Sequence, residues 1–269
     1  MFQINWKLKA FIYKIFDLLK LKITYYFIQK HITKRSLINI EQISKLWLFH
    51  SESIKKNNIK NIIEVGAGKS LEQNIYISYV FNNSIAQTTI DIKKMIDFNL
   101  ANQASEKISK ILNLNNKGRI ENFDQLRKLY NINYVVPSSL KNFKDSNKKF
   151  DMCISTNTLE HFTISDLNEY LIDLKSVLKT NGLVSSVIDY SDHYSHTDKN
   201  ITSLNFLRYS NKEWNKYNNS YLFQNRLRHQ DYIEKFNING YKIKKIYSGS
   251  SATPPLKISD EFNINNKDT

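Results

Sequence analysis

The chain is short of residues that staple, break or loosen a backbone. It has a single cysteine, Cys153, in 269 residues, so no internal disulfide can form and a small fold held by disulfide-linked loops is excluded. Three prolines and six glycines exclude collagen-like or linker-rich organisation. A bilayer span needs about 20 apolar residues, and the longest uncharged window of the apolar N-terminal segment, Ile23 to Gln29, has seven. No internal repeat and no secretory leader pattern is visible, which together with the lone cysteine predicts a cytoplasmic protein. Acidic residues are also scarce, 25 against 39 Lys and Arg, for a formal net charge of +14. Apolar residues make up 41% of the chain, enough to bury a core, so general disorder is excluded.

The charge is uneven. Residues Met1 to Ser36 carry eight Lys and Arg against the single acid Asp17, which is half of the positive excess. The same stretch holds Trp6, Leu8, Phe11, Ile12, Ile15, Phe16, Leu18 and Leu19. This predicts a basic amphipathic helical segment over residues 1–39. Such a segment either lies on the anionic inner face of a membrane or caps the body of the protein.

Two of the few glycines stand together in Asn61 to Ser70, N-I-I-E-V-G-A-G-K-S. Ile62, Ile63 and Val65 read as a buried parallel strand. Gly66, Ala67 and Gly68 form the turn, and Leu71, Ile75, Ile77 and Val80 begin a helix. A strand, a glycine turn and a helix bring backbone N–H groups to a ligand lying across the strand's carboxyl end. A P-loop is excluded because Ile63 stands where its first glycine would be, and the strand leaves no loop to wrap a triphosphate. The dinucleotide fingerprint needs glycine at position 71, which is Leu71, but Asp91 stands at a fair distance for its acidic residue, so that reading stays open as an alternative. A third ligand is S-adenosylmethionine: Glu64, two residues before the first glycine, resembles the acidic position of the first methyltransferase motif, and Asp91 ends the next apolar run, where a carboxylate can take both ribose hydroxyls.

A later segment carries a resemblance. Phe150-Asp151-Met152-Cys153-Ile154-Ser155-Thr156, followed by Asn157-Thr158-Leu159-Glu160-His161, resembles the fourth-strand motif of class I S-adenosylmethionine-dependent methyltransferases (type 11-like). The helical pattern Ser165 to Leu178, then Lys179-Thr180-Asn181-Gly182 and the apolar run Leu183 to Ile188, resembles that family's turn into its fifth strand. The resemblance spans roughly Ile40 to Ser248. It implies an α/β, Rossmann-like fold with a seven-stranded, mostly parallel sheet flanked by helices, in a methyltransferase domain over residues 40–269. It also implies methyl transfer from S-adenosylmethionine. Glu64, Gly66, Ala67, Gly68 and Asp91 would hold the donor, with Asn157 and Leu159 on its methionine side. Ser138 stands near the position where the family often binds adenine with an acid. The residues by themselves show an α/β domain with a nucleoside-type site.

Beyond the fifth strand, Asp189 to Asp198 reads D-Y-S-D-H-Y-S-H-T-D. Methylating a hydroxyl requires removal of its proton, and an imidazole oriented by a carboxylate is the natural device. His193 beside Asp192 is the expected base, with His196 and His161 as further candidates. His193, His196 and Asp198 also have the composition of a metal site, although no metal is expected. Arg226, Arg228 and His229 suggest recognition of an anionic group. Residues 189–231 are therefore expected to form an acceptor lid. The insertion and the basic N-terminal helix resemble bacterial members linked to surface-polysaccharide and glycolipid synthesis. That implies O-methylation of a sugar hydroxyl on a surface glycan or on its lipid- or nucleotide-linked precursor. Two alternatives remain at this point: an RNA methyltransferase, disfavoured because the charge is concentrated at one end, and a catalytically silent donor-binding protein docked on a membrane complex.

Overall fold

A computed structural model describes residues 3–21, 38–247, 249 and 257–262. In chain order its longer elements are α1 (Trp6–Leu18), α2 (Lys45–Lys56), β1 (Asn61–Val65), α3 (Glu72–Val80), β2 (Ala86–Ile90), α4 (Phe98–Ile111) and α5 (Phe123–Tyr130). They continue with β3 (Ile132–Val135), β4 (Phe150–Thr156), α6 (Ile164–Val177), β5 (Leu178–Val187), α7 (Asn211–Trp214) and α8 (His229–Ile238). The chain divides into two compact units, one of Ser36–Leu159 with Glu169–Ile188, the other of Met1–Arg35, Glu160–Asn168 and Asp189–Thr269.

The first unit is a parallel sheet in the order β3-β2-β1-β4-β5, the order of Rossmann-type sheets. Its registers pair Val65 with Ile90, Glu64 with Ile154 and Thr156 with Val187. β1 and β4 are fully buried through Ile62, Ile63, Met152, Cys153 and Ile154, as expected of parallel strands covered on both faces. α3 is buried nearly all round, so it shows little amphipathic contrast. α4 turns Leu100, Ala101, Ala104 and Ile108 into the core at helical spacing. From β1 the chain builds outward to β3 and then returns to the other side of β1 as β4. That reversal makes β1 and β4 the switch point, where strand ends leave a crevice.

Three expectations are corrected. Among the described residues the sheet has five strands, not seven. The run Tyr241 to Tyr247, which after Gly240 reads as a further strand in the sequence, forms no ladder: it is mostly exposed and carries Lys242, Lys244 and Lys245, so neither face buries enough apolar surface to offset ordering a non-local strand. The expected turn at Lys179 to Gly182 is an irregularity inside β5, because Phe150 and Met152 of β4 face Leu178 and Leu183.

In the second unit α1 packs Trp6 and Ala10 into a cluster with Tyr194, Leu204, Phe206, Leu207 and Trp214. The Trp6 ring lies 4.6 Å from that of Tyr217 and 5.6 Å from that of Tyr194. Asp198 accepts the Trp6 N–H at 2.9 Å, and Lys9 Nζ, itself buried, donates to Thr197 Oγ1 at 2.9 Å. Much of the basic segment, residues 22–37, lies outside the described residues. No described helix is long and apolar enough to cross a membrane.

Candidate functional site

The sheet unit gathers most of the expected donor residues at the switch point. β1 ends in the glycine turn, with Gly66 at φ +80° and Gly68 at φ +73°, backbone that favours glycine. The two glycines serve different needs. A Cβ on Gly66 would stand 2.5 Å from Thr158 Cγ2 and Oγ1 in the turn after β4, whereas a Cβ on Gly68 would meet nothing within 4 Å. Gly66 lets two strand ends touch, and Gly68 faces open space where a ligand can approach. Leu71, at the third-glycine position of a dinucleotide motif, takes the same left-handed backbone at φ +50° and opens α3 without a side-chain cap. The first N–H groups of α3 are therefore left with no capping side chain at that end.

Beside this helix start lies a cleft of about 330 Å³ lined by Asn39, Ile40, Gln42, Ser44, Leu46, Trp47, Glu72, Thr156 and Asn157. Its polar rim (Asn39, Gln42, Ser44, Glu72) escaped the sequence reading. The one available signal was Ser44, whose hydroxyl caps α2 through Leu46 N–H at 3.2 Å. Asn157 lies on the cleft with its backbone in the left-handed region, φ +49°. Asp91 follows β2 and accepts the Lys93 N–H at 3.3 Å; burial raises its pKa. Its backbone carbonyl accepts the Ser138 N–H at 2.8 Å, so the ends of β2 and β3 are tied together. The Ser138 side chain is buried and turned to Asn142 and its own strand end. Ala67 packs partly into the core and Leu159 is wholly buried.

Glu64 points inward. It is buried, accepts Gln73 Nε2 at 3.0 Å and also Asn74 Nδ2, and burial lifts its carboxyl to about 7, with the Asn74 bond opposing. It belongs to a buried polar chain unseen in the sequence. Ser185 Oγ lies 2.8 Å from His50 Nδ1, His50 Nε2 lies 3.0 Å from Thr156 Oγ1, and Thr156 Oγ1 donates to Gln73 Oε1 at 2.8 Å. Burial lowers the His50 pKa to about 4, so His50 is neutral at pH 7. The chain of bonds joins β5, α2, β4, α3 and β1 directly beneath the cleft wall formed by Thr156.

The second unit gathers imidazoles. The ring centroids of His161 and His193 are 5.0 Å apart, and those of His193 and His196 are 5.2 Å apart. The carboxylate at His193 is Asp189, not the expected Asp192: Asp189 Oδ2 lies 3.3 Å from His193 Nε2. Burial alone would raise the Asp189 pKa, but hydrogen bonds from His193 and Ser191 hold it below the usual carboxylate range. Asp192 is fully buried and accepts Tyr194 N–H at 2.9 Å and Asn205 Nδ2 at 3.0 Å, and burial lifts it to about 6. It caps the helical turn that presents His193. His161 Nδ1 lies 2.7 Å from the Phe223 carbonyl and donates to it, which leaves Nε2 with its lone pair; burial lowers the His161 pKa. His196 Nε2 reaches Ser191 Oγ at 3.4 Å.

Of the three residues expected to recognise an anion, Arg226 is engaged within the protein. Arg226 is buried and donates to the carbonyls of Phe206 at 2.9 Å and Tyr209 at 2.6 Å, and to Asn211 Oδ1. Its guanidinium also stacks on Trp214 and Phe262, so Arg226 ties loops together. Arg228 donates to the Tyr190 carbonyl at 2.8 Å, and His229 Nδ1 lies 3.3 Å from Tyr190 Oη. Asp198, proposed with His193 and His196 as a metal site, instead holds the start of α1.

Neither protein-family models nor curated proteins give a match to this chain. Solved structures do. PKMT2 from Rickettsia typhi in complex with AdoHcy is 14% identical with a TM-score of 0.33, over 53% of this chain and 24% of that one. PigF with SAH is 12% identical with a TM-score of 0.43, over 74% and 49%. The methyltransferase domain of bacterial CtHen1-CN is 15% identical with a TM-score of 0.38, over 73% and 84%. The chain thus spans about a quarter of the first of these proteins and about half of the second.

Proposed function

We propose that this chain is an S-adenosylmethionine-dependent O-methyltransferase. The observation that carries the reading is the convergence, in the sheet unit, of an open glycine turn, an uncapped helix start, the half-buried Asp91 carboxylate and a polar cleft ending in Asn157. These features fit the donor. The Gly68 side is open for close approach, Asp91 can accept both ribose hydroxyls, and Asn39, Gln42, Ser44 and Asn157 can bind the amino-acid end. When bound, the donor supplies an electrophilic methyl group on a sulfonium. Glu64 and the polar chain through His50 hold the cleft wall in one geometry rather than touching the ligand.

On the acceptor side the proton of a hydroxyl is removed at the His161–His193 pair, with Asp189 and the Phe223 carbonyl fixing the rings. The acceptor class, a sugar hydroxyl of a surface glycan or its lipid- or nucleotide-linked precursor, rests on the resemblance of the insertion and the basic N-terminal segment. The exposed stripe Leu8, Phe11 and Leu18 of α1 supports peripheral contact with an anionic membrane.

Calorimetry with purified protein tests the donor site. Asp91→Ala should weaken S-adenosylmethionine binding by about 1.5–3 kcal/mol, the range of a hydrogen bond to a charged group. Binding of a nicotinamide dinucleotide in place of S-adenosylmethionine would refute the reading. Donor binding without transfer to any nucleotide sugar or lipid-linked glycan would favour a silent donor-binding protein.

A further inference from the structure

We propose that Glu160, His161 and His193 together hold one divalent first-row transition-metal ion. The three residues each offer a ligand atom, and these atoms lie within 4.8 Å of one another. All three belong to the same compact unit.

Three observations point to a ligand rather than to a chance cluster. Glu160 is only 3% exposed, and neither of its carboxylate oxygens has a hydrogen-bond partner of ordinary geometry. A buried carboxylate left so is costly, and a cation in contact removes the cost. Each imidazole is also held from behind, as metal-binding histidines are: His161 Nδ1 by the Phe223 carbonyl at 2.7 Å, His193 by Asp189 Oδ2 at 3.3 Å. In its neutral form each ring therefore keeps one nitrogen lone pair for a metal ion. Finally, burial is graded across the group, with Glu160 buried, His193 half-buried and His161 exposed, so coordination positions on the outer side stay open to water or to an oxygen ligand.

The donor set selects the metal. Two imidazole nitrogens with one carboxylate oxygen suit Zn²⁺, Co²⁺, Mn²⁺ or Fe²⁺, whereas Mg²⁺ and Ca²⁺ prefer oxygen alone. The ion's role rests on the O-methyltransferase reading, although its binding does not. With the ion in place the two histidines would serve as its ligands in place of accepting the proton themselves. A hydroxyl bound at an open position then loses its proton to solvent more readily than a free one.

The test is Co²⁺ titration of the full chain, stripped with chelator, followed by visible absorption and by Mn²⁺ paramagnetic resonance. Binding of about one ion per chain with imidazole-type coordination is expected. Glu160→Gln, which keeps the side-chain shape, and His193→Ala should each weaken it by at least about 10–100-fold. His196→Ala should bind as the unaltered chain does. No saturable binding, or binding lost in His196→Ala but kept in Glu160→Gln, would overturn the assignment. Because the readout is metal binding, failure of the methyltransferase reading would leave the result intact, and failure of the metal site would leave donor calorimetry unaffected.

Discussion

Individual side chains divide into those that touch a ligand site and those that hold it. Asp192 and Arg226 carry charges that suggest chemistry, yet both are buried and saturated by neighbouring amides and carbonyls. Asp189, which looked incidental, meets His193. His193→Ala should leave donor affinity unchanged and lower turnover by about 10²–10⁴. Asp189→Asn keeps the shape but loses the charge, so it should lower kcat less than His193→Ala and shift the pH profile. Steady-state kinetics with calorimetry on both variants checks this. Unchanged turnover in His193→Ala would remove the imidazole pair from the reaction.

Among the elements, α1 has two faces. Trp6, Lys9 and Ala10 face its own unit, and Leu8, Phe11 and Leu18 face outward. Replacing Trp6 by Ala should destabilise this unit by about 3–5 kcal/mol, the usual cost of removing a buried tryptophan. The outward face should give binding to anionic vesicles that weakens with salt and is lost in the chain lacking residues Met1 to Ser36. Vesicle co-sedimentation of the intact and shortened chains reads the second effect, and chemical unfolding of Trp6→Ala reads the first. An intact chain that ignores anionic vesicles would assign α1 to packing alone.

At the scale of the molecule, buried carboxyls couple stability to pH. Burial lifts Glu64 from 4.5 to about 7, and Glu160 is lifted to about 8 by burial and by the nearby Asp189. A raised carboxyl contributes stability that is complete below its unfolded pKa and is lost as pH rises through the folded value. The Glu64 contribution should therefore disappear between about pH 4.5 and pH 7. Urea unfolding of the unaltered chain, with chelator present, should show a steeper loss of stability over that interval than Glu64→Gln. Equal slopes would mean that Glu64 does not titrate there.

Short-range pattern was enough to read β1, β2, β4, the glycine turn and the helices that follow β1 and β4, because β-branched runs and helical spacing act over a few residues. The same pattern placed Asp91 and Asn157 at strand ends, where a switch point opens its crevice. It failed where the deciding partner is distant in sequence. His50 finds Thr156 and Ser185 across 106 and 135 residues, and a lone histidine on a helix announces neither. Arg226 reads as an anion receptor until the carbonyls of Phe206 and Tyr209 close around it. The strand expected at Tyr241 to Tyr247 failed because pairing depends on a buried face that its lysines do not provide. Local sequence determined the elements and the residue types at the candidate sites. Only the tertiary structure decided which charged groups are satisfied and which remain available to a ligand, because burial and hydrogen-bond partnership arise from segments that meet only when the chain is folded.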